Sequence, residues 1–85
     1  MREFSHTIAD PNGIHARPAG LLVQLMQKFK SNITLNRDGQ SADAKTLFAV
    51  MKLRPKCGQI IVVRAEGEDE AAAIEAAREF LTTNM

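Results

Sequence analysis

Eighty-five residues suffice for one modest hydrophobic core and not for two, so residues 1–85 are expected to form a single domain. Apolar residues make up 45% of the chain and charged ones 25%, and a formal net charge of +1 gives no global reason to expect a nucleic-acid or membrane partner. Any electrostatic function must therefore be local.

No run approaches the roughly 20 apolar residues of a membrane span, and the first residues lack the charged, apolar and cleavage segments of a secretory signal. The expectation is a soluble, cytoplasmic protein. Cys57 is the single cysteine, which excludes an internal disulfide and a cysteine-based zinc cluster and suits a reducing compartment. Lys56 beside it favours the thiolate slightly, but a passive loop cysteine is the simpler reading.

In chain order, residues 1–8 alternate Phe4, His6 and Ile8 against Ser5 and Thr7, the period of a half-buried strand. His6 falls on the apolar side and reads as a partly buried strand residue with no local partner. Asp10-Pro11-Asn12-Gly13 is dense in turn formers and ends the strand.

The stretch that follows, Gly13-Ile14-His15-Ala16-Arg17-Pro18-Ala19-Gly20, carries the chemistry. Leu21, Leu22, Leu25, Met26 and Phe29 recur at helical spacing, which predicts a helix over 16–29 with His15 near its N-cap and Gln24, Gln27 and Lys28 exposed. Pro18 fits a first turn, where a missing N–H does no harm. First-turn amides have no internal partners and carry the positive end of the helix dipole, so such an end receives anions. An imidazole placed there can attack phosphorus. The group it received would face the backbone N–H groups of Ala16 and Arg17 and the Arg17 guanidinium. The positive helix end also disfavours imidazolium and keeps His15 nucleophilic.

Asn32 to Asn36 alternates around Ile33 and Leu35 and predicts a second strand. Asp38-Gly39 signals a two-residue hairpin, so a third strand over 40–43 should pair antiparallel with the second. Residues 45–51 form a short apolar segment in which Thr46 stands where an N-cap hydroxyl would, and Pro55 and Gly58 close it. Leu47, Phe48 and Met51 are then either core residues or a partner-docking patch.

Residues 60–65 are rich in β-branched side chains and read as a fourth strand, central in the sheet. Asp69 is placed to cap a last helix, with Glu70 complementing its dipole and Ile74, Ala77 and Leu81 forming a buried stripe. Glu66, Glu68, Asp69, Glu70 and Glu75 resemble metal-binding acids. They read better as a solvated helix start, because no histidine accompanies them, and no metal or cofactor is expected.

The order strand, helix, strand, strand, helix, strand, helix implies an α+β fold: a four-stranded antiparallel sheet with three helices on one face and the other face wet.

Gly13-Ile14-His15-Ala16-Arg17-Pro18-Ala19 closely resembles the phosphohistidine signature of the HPr family, the histidine-containing phosphocarriers of the bacterial sugar phosphotransferase system. Lys45 to Leu53 resembles the regulatory-site segment of the same family. The resemblance covers the whole chain. It implies an open-faced β-sandwich in which Nδ1 of His15 accepts a phosphoryl group from phosphorylated Enzyme I, with Arg17 assisting, and passes it to a histidine of an EIIA domain of a sugar permease. It implies that Leu47, Phe48 and Met51 dock partners and that Thr46 stands where HPr kinase/phosphorylase modifies a serine in Gram-positive members. A phosphate on Thr46 would act by adding charge to the docking face, with little unfolding. Arg54 and Pro55 stand where small and aliphatic residues are usual, and Gln24 and Gln27 where some members have lysine.

Two functions from different classes follow. One is a stoichiometric phosphocarrier on His15, monomeric and not itself an enzyme. The other is a regulatory protein that works through Thr46 and binds a catabolite-control transcription factor or a metabolic enzyme. A nucleic-acid binder is disfavoured, because the four aromatics are all Phe and neither interior strand carries a stacking platform.

Overall fold

Strand alternation and helical stripes meet in one core. The structure is a computed structural model that describes residues 1–11 and 17–85 in full and the backbone alone at Ala16. Its elements are β1 (Arg2–Thr7), α1 (Ala16–Met26), β2 (Asn32–Arg37), β3 (Gln40–Asp43), α2 (Leu47–Leu53), β4 (Ile60–Glu66) and α3 (Glu70–Asn84). The strands form one antiparallel sheet in the order β1-β4-β2-β3, so β4 is interior as its apolar run requires.

Register sorts the two faces. Phe4, Val63, Leu35 and Ala42 lie in one row across the sheet, flanked by His6 with Ile61 and by Ala65 with Ile33. These rows face the helices, and Ile33, Leu35, Ile61, Val63 and Ala65 are buried. The alternate rows, Glu3-Arg64-Thr34-Asp43 and Ser5-Val62-Asn36-Ser41, form the uncovered outer face.

The helices supply the other half of the core through Ala19, Leu22, Val23 and Met26 of α1, Val50 and Leu53 of α2, and Ala73, Ile74, Ala77 and Leu81 of α3. Each fully buried leucine, isoleucine or methionine contributes about 1.5–3 kcal/mol. The Arg78 guanidinium lies 5.1 Å from the Phe4 ring centroid and joins α3 to β1.

Asp38 and Gly39 both take positive φ, 50° and 82°, the twist a two-residue hairpin needs between β2 and β3. By contrast, α1 stops at Met26 and not at Phe29 as its periodicity predicts. After the Gln27 N–H bonds to the Val23 carbonyl, Lys28 and Phe29 donate to Leu25 and Met26, a tightening from four-residue to three-residue spacing. Phe29 still packs partly buried against the core, so its apolar signal reflects burial and not helix. Leu21 is also misread by periodicity: it is 50% exposed, and Val23 takes its place in the buried stripe.

Asp69 is the N-cap residue of α3, but its side chain makes no capping bond. It reaches instead to the loop before β2, accepting hydrogen bonds from the amides of Lys30 and Ser31, each at 2.9 Å, and from the Ser31 hydroxyl. Ser31 is the buried polar residue at this junction, and Gly67 passes so close that an added Cβ would stand 2.7 Å from its Oγ. Glu70 is engaged as well, accepting from the Gly67 amide and pairing at 2.9 Å with the Met1 ammonium. The acids that open α3 are thus partly a tie between elements, not simply a solvated face.

Candidate functional site

The stretch from β1 towards α1 is tied to two other parts of the fold. Ile8 exchanges backbone bonds with Gln59 and Gly58 just before β4, while the amides of Ala9 and Asp10 donate to the Met85 carbonyl at the end of α3. The exposed Cys57 thiol lies 3.8 Å from the Ala9 carbonyl. This lattice fixes the chain at Asp10 on one side of the signature.

On the other side, α1 begins at Ala16, and its first-turn amides have no intrahelical acceptors. Arg17 is exposed, whereas Pro18 and Ala19 are buried and anchor the first turn. Arg17, Pro18, Leu21, Asp10 and Asn84 line a cleft of about 320 Å³ where the start of α1, the end of β1 and the end of α3 converge. Gly13, Ile14 and His15, with the acceptor role expected of the imidazole, lie outside the described residues, as does Asn12. Sequence reasoning found Arg17 and missed Leu21, one turn further along α1, and Asp10 and Asn84, which reach the cleft only through the tertiary fold.

The second site segment is α2. Thr46 is its N-cap residue, exposed and in extended conformation, and its carbonyl accepts the Val50 amide at 3.1 Å. Its hydroxyl makes no capping bond, contrary to expectation. Asp43 organises the approach, its carboxylate accepting the Lys45 amide and its carbonyl the Thr46 amide.

Both ends of α2 are clamped. At the start, Gln27 of the α1 side donates to the Lys45 carbonyl at 2.9 Å, and Lys45 Nζ donates to the Phe29 carbonyl at 2.6 Å. At the finish, Arg37 reaches from the inner face of the sheet and donates through Nε and Nη2 to the Leu53 carbonyl at 3.0 and 2.8 Å. Val50 and Leu53 point into the core. Leu47 is 43% and Phe48 84% exposed, so the core reading fails for these two, while Met51 packs partly against the core and partly faces out.

Other candidates separate from the site. His6 shares the inner face with Ile61 and is half-buried, with Nε2 lacking a hydrogen-bond partner among the described residues. No three histidine, cysteine, aspartate or glutamate side chains among the described residues are grouped to hold a metal. No helix among them is long and apolar enough to cross a membrane.

An exposed arginine in the first turn of a helix, a ridge of unburied apolar side chains on a second helix and a sheet bare on its far side match a known class of phosphoryl carriers. Residues 2–83 match the family described as "PTS HPr component phosphorylation site", and the chain belongs to that HPr family of the phosphotransferase system. It is 43% identical over 80 residues to the phosphocarrier protein HPr of Xylella fastidiosa strain Temecula1, covering 94% of this chain and 90% of that one. It is 45% identical over 76 residues to the phosphocarrier protein HPr of Buchnera aphidicola subsp. Baizongia pistaciae, covering 89% of each. The solved structure of a Mycoplasma histidine-containing phosphocarrier protein superposes with a TM-score of 0.94 at 35% identity, over 96% of this chain and 93% of that one.

Proposed function

We propose that residues 1–85 act as one unit, a cytoplasmic and monomeric carrier that takes a phosphoryl group on Nδ1 of His15 from phosphorylated Enzyme I and delivers it to an EIIA domain. As the bond to Nδ1 forms, the phosphorus leaves its donor, and on delivery that bond breaks in turn, so the chain ends the cycle unchanged and catalyses no turnover of its own. The observation that carries this reading is the family match across residues 2–83, whose defining feature is the phosphorylation site.

The local physics agrees with it. A phosphoryl group attached one residue before α1 is met by the first-turn amides of Ala16 and Arg17, which have no acceptor within the helix, and by the positive end of the helix dipole. The Arg17 guanidinium, exposed at the same turn, supplies charge-assisted hydrogen bonds that ease as the group departs. Leu47, Phe48 and Met51 supply the apolar docking surface for successive partners.

Incubation with phosphoenolpyruvate and Enzyme I should give an acid-labile, base-stable adduct that His15→Ala abolishes. Absence of the adduct in the wild type overturns the proposal.

A second, regulatory reading is favoured by one observation: the Thr46 hydroxyl is exposed and is not spent on capping α2. Phosphorylation there by an HPr kinase/phosphorylase places a dianion beside the docking ridge and alters which partner binds, a catabolite-control transcription factor among them. Radiolabel from ATP should appear in the wild type and vanish in Thr46→Val, and an unlabelled wild type removes the switch.

A further inference from the structure

The residue that ends α2 is backbone-strained and chemically unspent. Arg54 has φ 49° and ψ 53°, the left-handed conformation that glycine adopts freely and that costs a side chain with a Cβ. Asp38 is the other such non-glycine residue among those described, and it sits in a hairpin turn where aspartate tolerates positive φ. A cation suits the negative end of the helix dipole there, but that attraction does not require the left-handed conformation, which glycine or asparagine takes at less cost. Arg54 is exposed, and among the described residues no carboxylate pairs with it.

Its location supplies a use for the cation. Together with Leu47, Phe48, Met51 and Lys52, Arg54 lines a groove of about 430 Å³ on the outer side of α2. Three of those side chains are apolar and two are cationic, and no acid is among them. Phe48, the most exposed of the large apolar residues, shares this lining with the two charges. A surface of that make-up is complementary to one thing in particular: a protein segment that brings an apolar side chain to Phe48 and a carboxylate to the guanidinium. Arginine fits the second task better than lysine, because its planar fork grips a carboxylate through two parallel hydrogen bonds.

We propose that Arg54 is a specificity-determining docking residue, which selects, with Lys52, partner proteins that present a carboxylate beside an apolar contact. The inference rests on the carrier reading above and goes further by naming the residue that discriminates between partners. Strain at residue 54 is then tolerated because the side chain contributes to recognition, and the fold would be as stable or more so without it.

The test is initial-rate phosphoryl transfer from purified, phosphorylated Enzyme I of the same organism to wild type, Arg54→Gly, Arg54→Lys and Arg54→Glu. Arg54→Gly should raise the KM for the carrier roughly fivefold at low salt while kcat stays unchanged, the scale of one well-placed charge pair at an interface rim. Arg54→Lys should fall between wild type and Arg54→Gly, and Arg54→Glu should exceed both. At about 0.5 M salt the four KM values should converge, because the interaction is exposed to screening. Thermal unfolding of Arg54→Gly at or above the wild-type midpoint shows that the KM effect is not loss of fold. Equal KM for wild type and Arg54→Gly at low salt overturns the inference and leaves the carrier reading intact, as does a fall in kcat at constant KM. If wild type takes no phosphoryl group at all, the carrier reading fails and this inference fails with it. KM differences that persist undiminished at high salt also overturn it, since they would mark a packing contact and not a carboxylate.

Discussion

The carboxylate of Asp69 accepts hydrogen bonds from both the backbone amide and the hydroxyl of Ser31, 38 residues earlier in the chain. Together with the Lys30 amide, these bonds join the loop before β2 to the start of α3. The Ser31 hydroxyl first, and the Lys30 amide next, hold the Asp69 carboxyl at about 2, below its ordinary 3.8.

A carboxyl whose pKa is lower in the folded state than in the unfolded one stabilises the fold when ionised. That contribution is complete above the ordinary value of 3.8 and is lost as pH falls through about 2. Glu70 adds to the same acid limb, its carboxyl lowered by the Met1 ammonium and then by the Gly67 amide. Urea unfolding measured from neutral pH downwards should show stability falling on this limb, and Asp69→Asn should flatten it in part. Superimposable profiles for the two proteins would contradict the assignment.

Gly67 has φ 150°, and the Cβ of an alanine there would meet Ser31 Oγ at 2.7 Å and its Cα at 2.8 Å. The neighbour is held by Asp69 and cannot yield cheaply. Gly67→Ala should therefore cost about 1–3 kcal/mol, from backbone strain and the forced loss of the Ser31 contact. Denaturant unfolding measures it, and Gly39→Ala, with open space around its Cβ, is the control that reports strain alone.

Arg37 ties the finish of α2 to the sheet through two bonds to one carbonyl. Arg37→Ala should destabilise by about 2 kcal/mol, the scale of charge-assisted hydrogen bonds to a group otherwise left unpaired. Amide exchange should quicken in α2 more than in α1 or α3, and uniform acceleration would mean the clamp is not local.

The two sides of α2 should respond in opposite ways. Leu53→Ala removes a buried side chain and should cost about 2–5 kcal/mol. Phe48→Ala should change stability by less than about 0.5 kcal/mol, while weakening transfer from Enzyme I. A Phe48→Ala protein with reduced stability and normal transfer would show that the ridge serves the core.

Features fixed by neighbouring residues are legible in the sequence alone. Asp38-Gly39 announces its hairpin because positive φ at both positions is a local demand, and the strands show because their inner faces alternate. The stretch around His15 is a local motif too, and the family resemblance drawn from it agrees with the family match over residues 2–83. What escaped was set by distant parts of the chain. Asp69 and Thr46 occupy cap positions as their types suggest, yet Asp69 is recruited by amides from another loop and the Thr46 hydroxyl makes no capping bond. Nothing in the residues around Arg37 announces its reach to the Leu53 carbonyl. Leu21 and Phe29 continue the helical period of α1, so periodicity alone could not reveal that one faces outward and the other follows the helix end. Asp10 and Asn84 join Arg17 only when β1 and α3 finish side by side.

The rows Ser5-Val62-Asn36-Ser41 and Glu3-Arg64-Thr34-Asp43 give the molecule a reverse side. Ser5 is exposed on that side, so a fluorophore or tether fixed there leaves the protein immobilised with the Arg17 cleft and the Phe48 ridge turned toward solution. Its exchanges with successive partners could then be watched one molecule at a time.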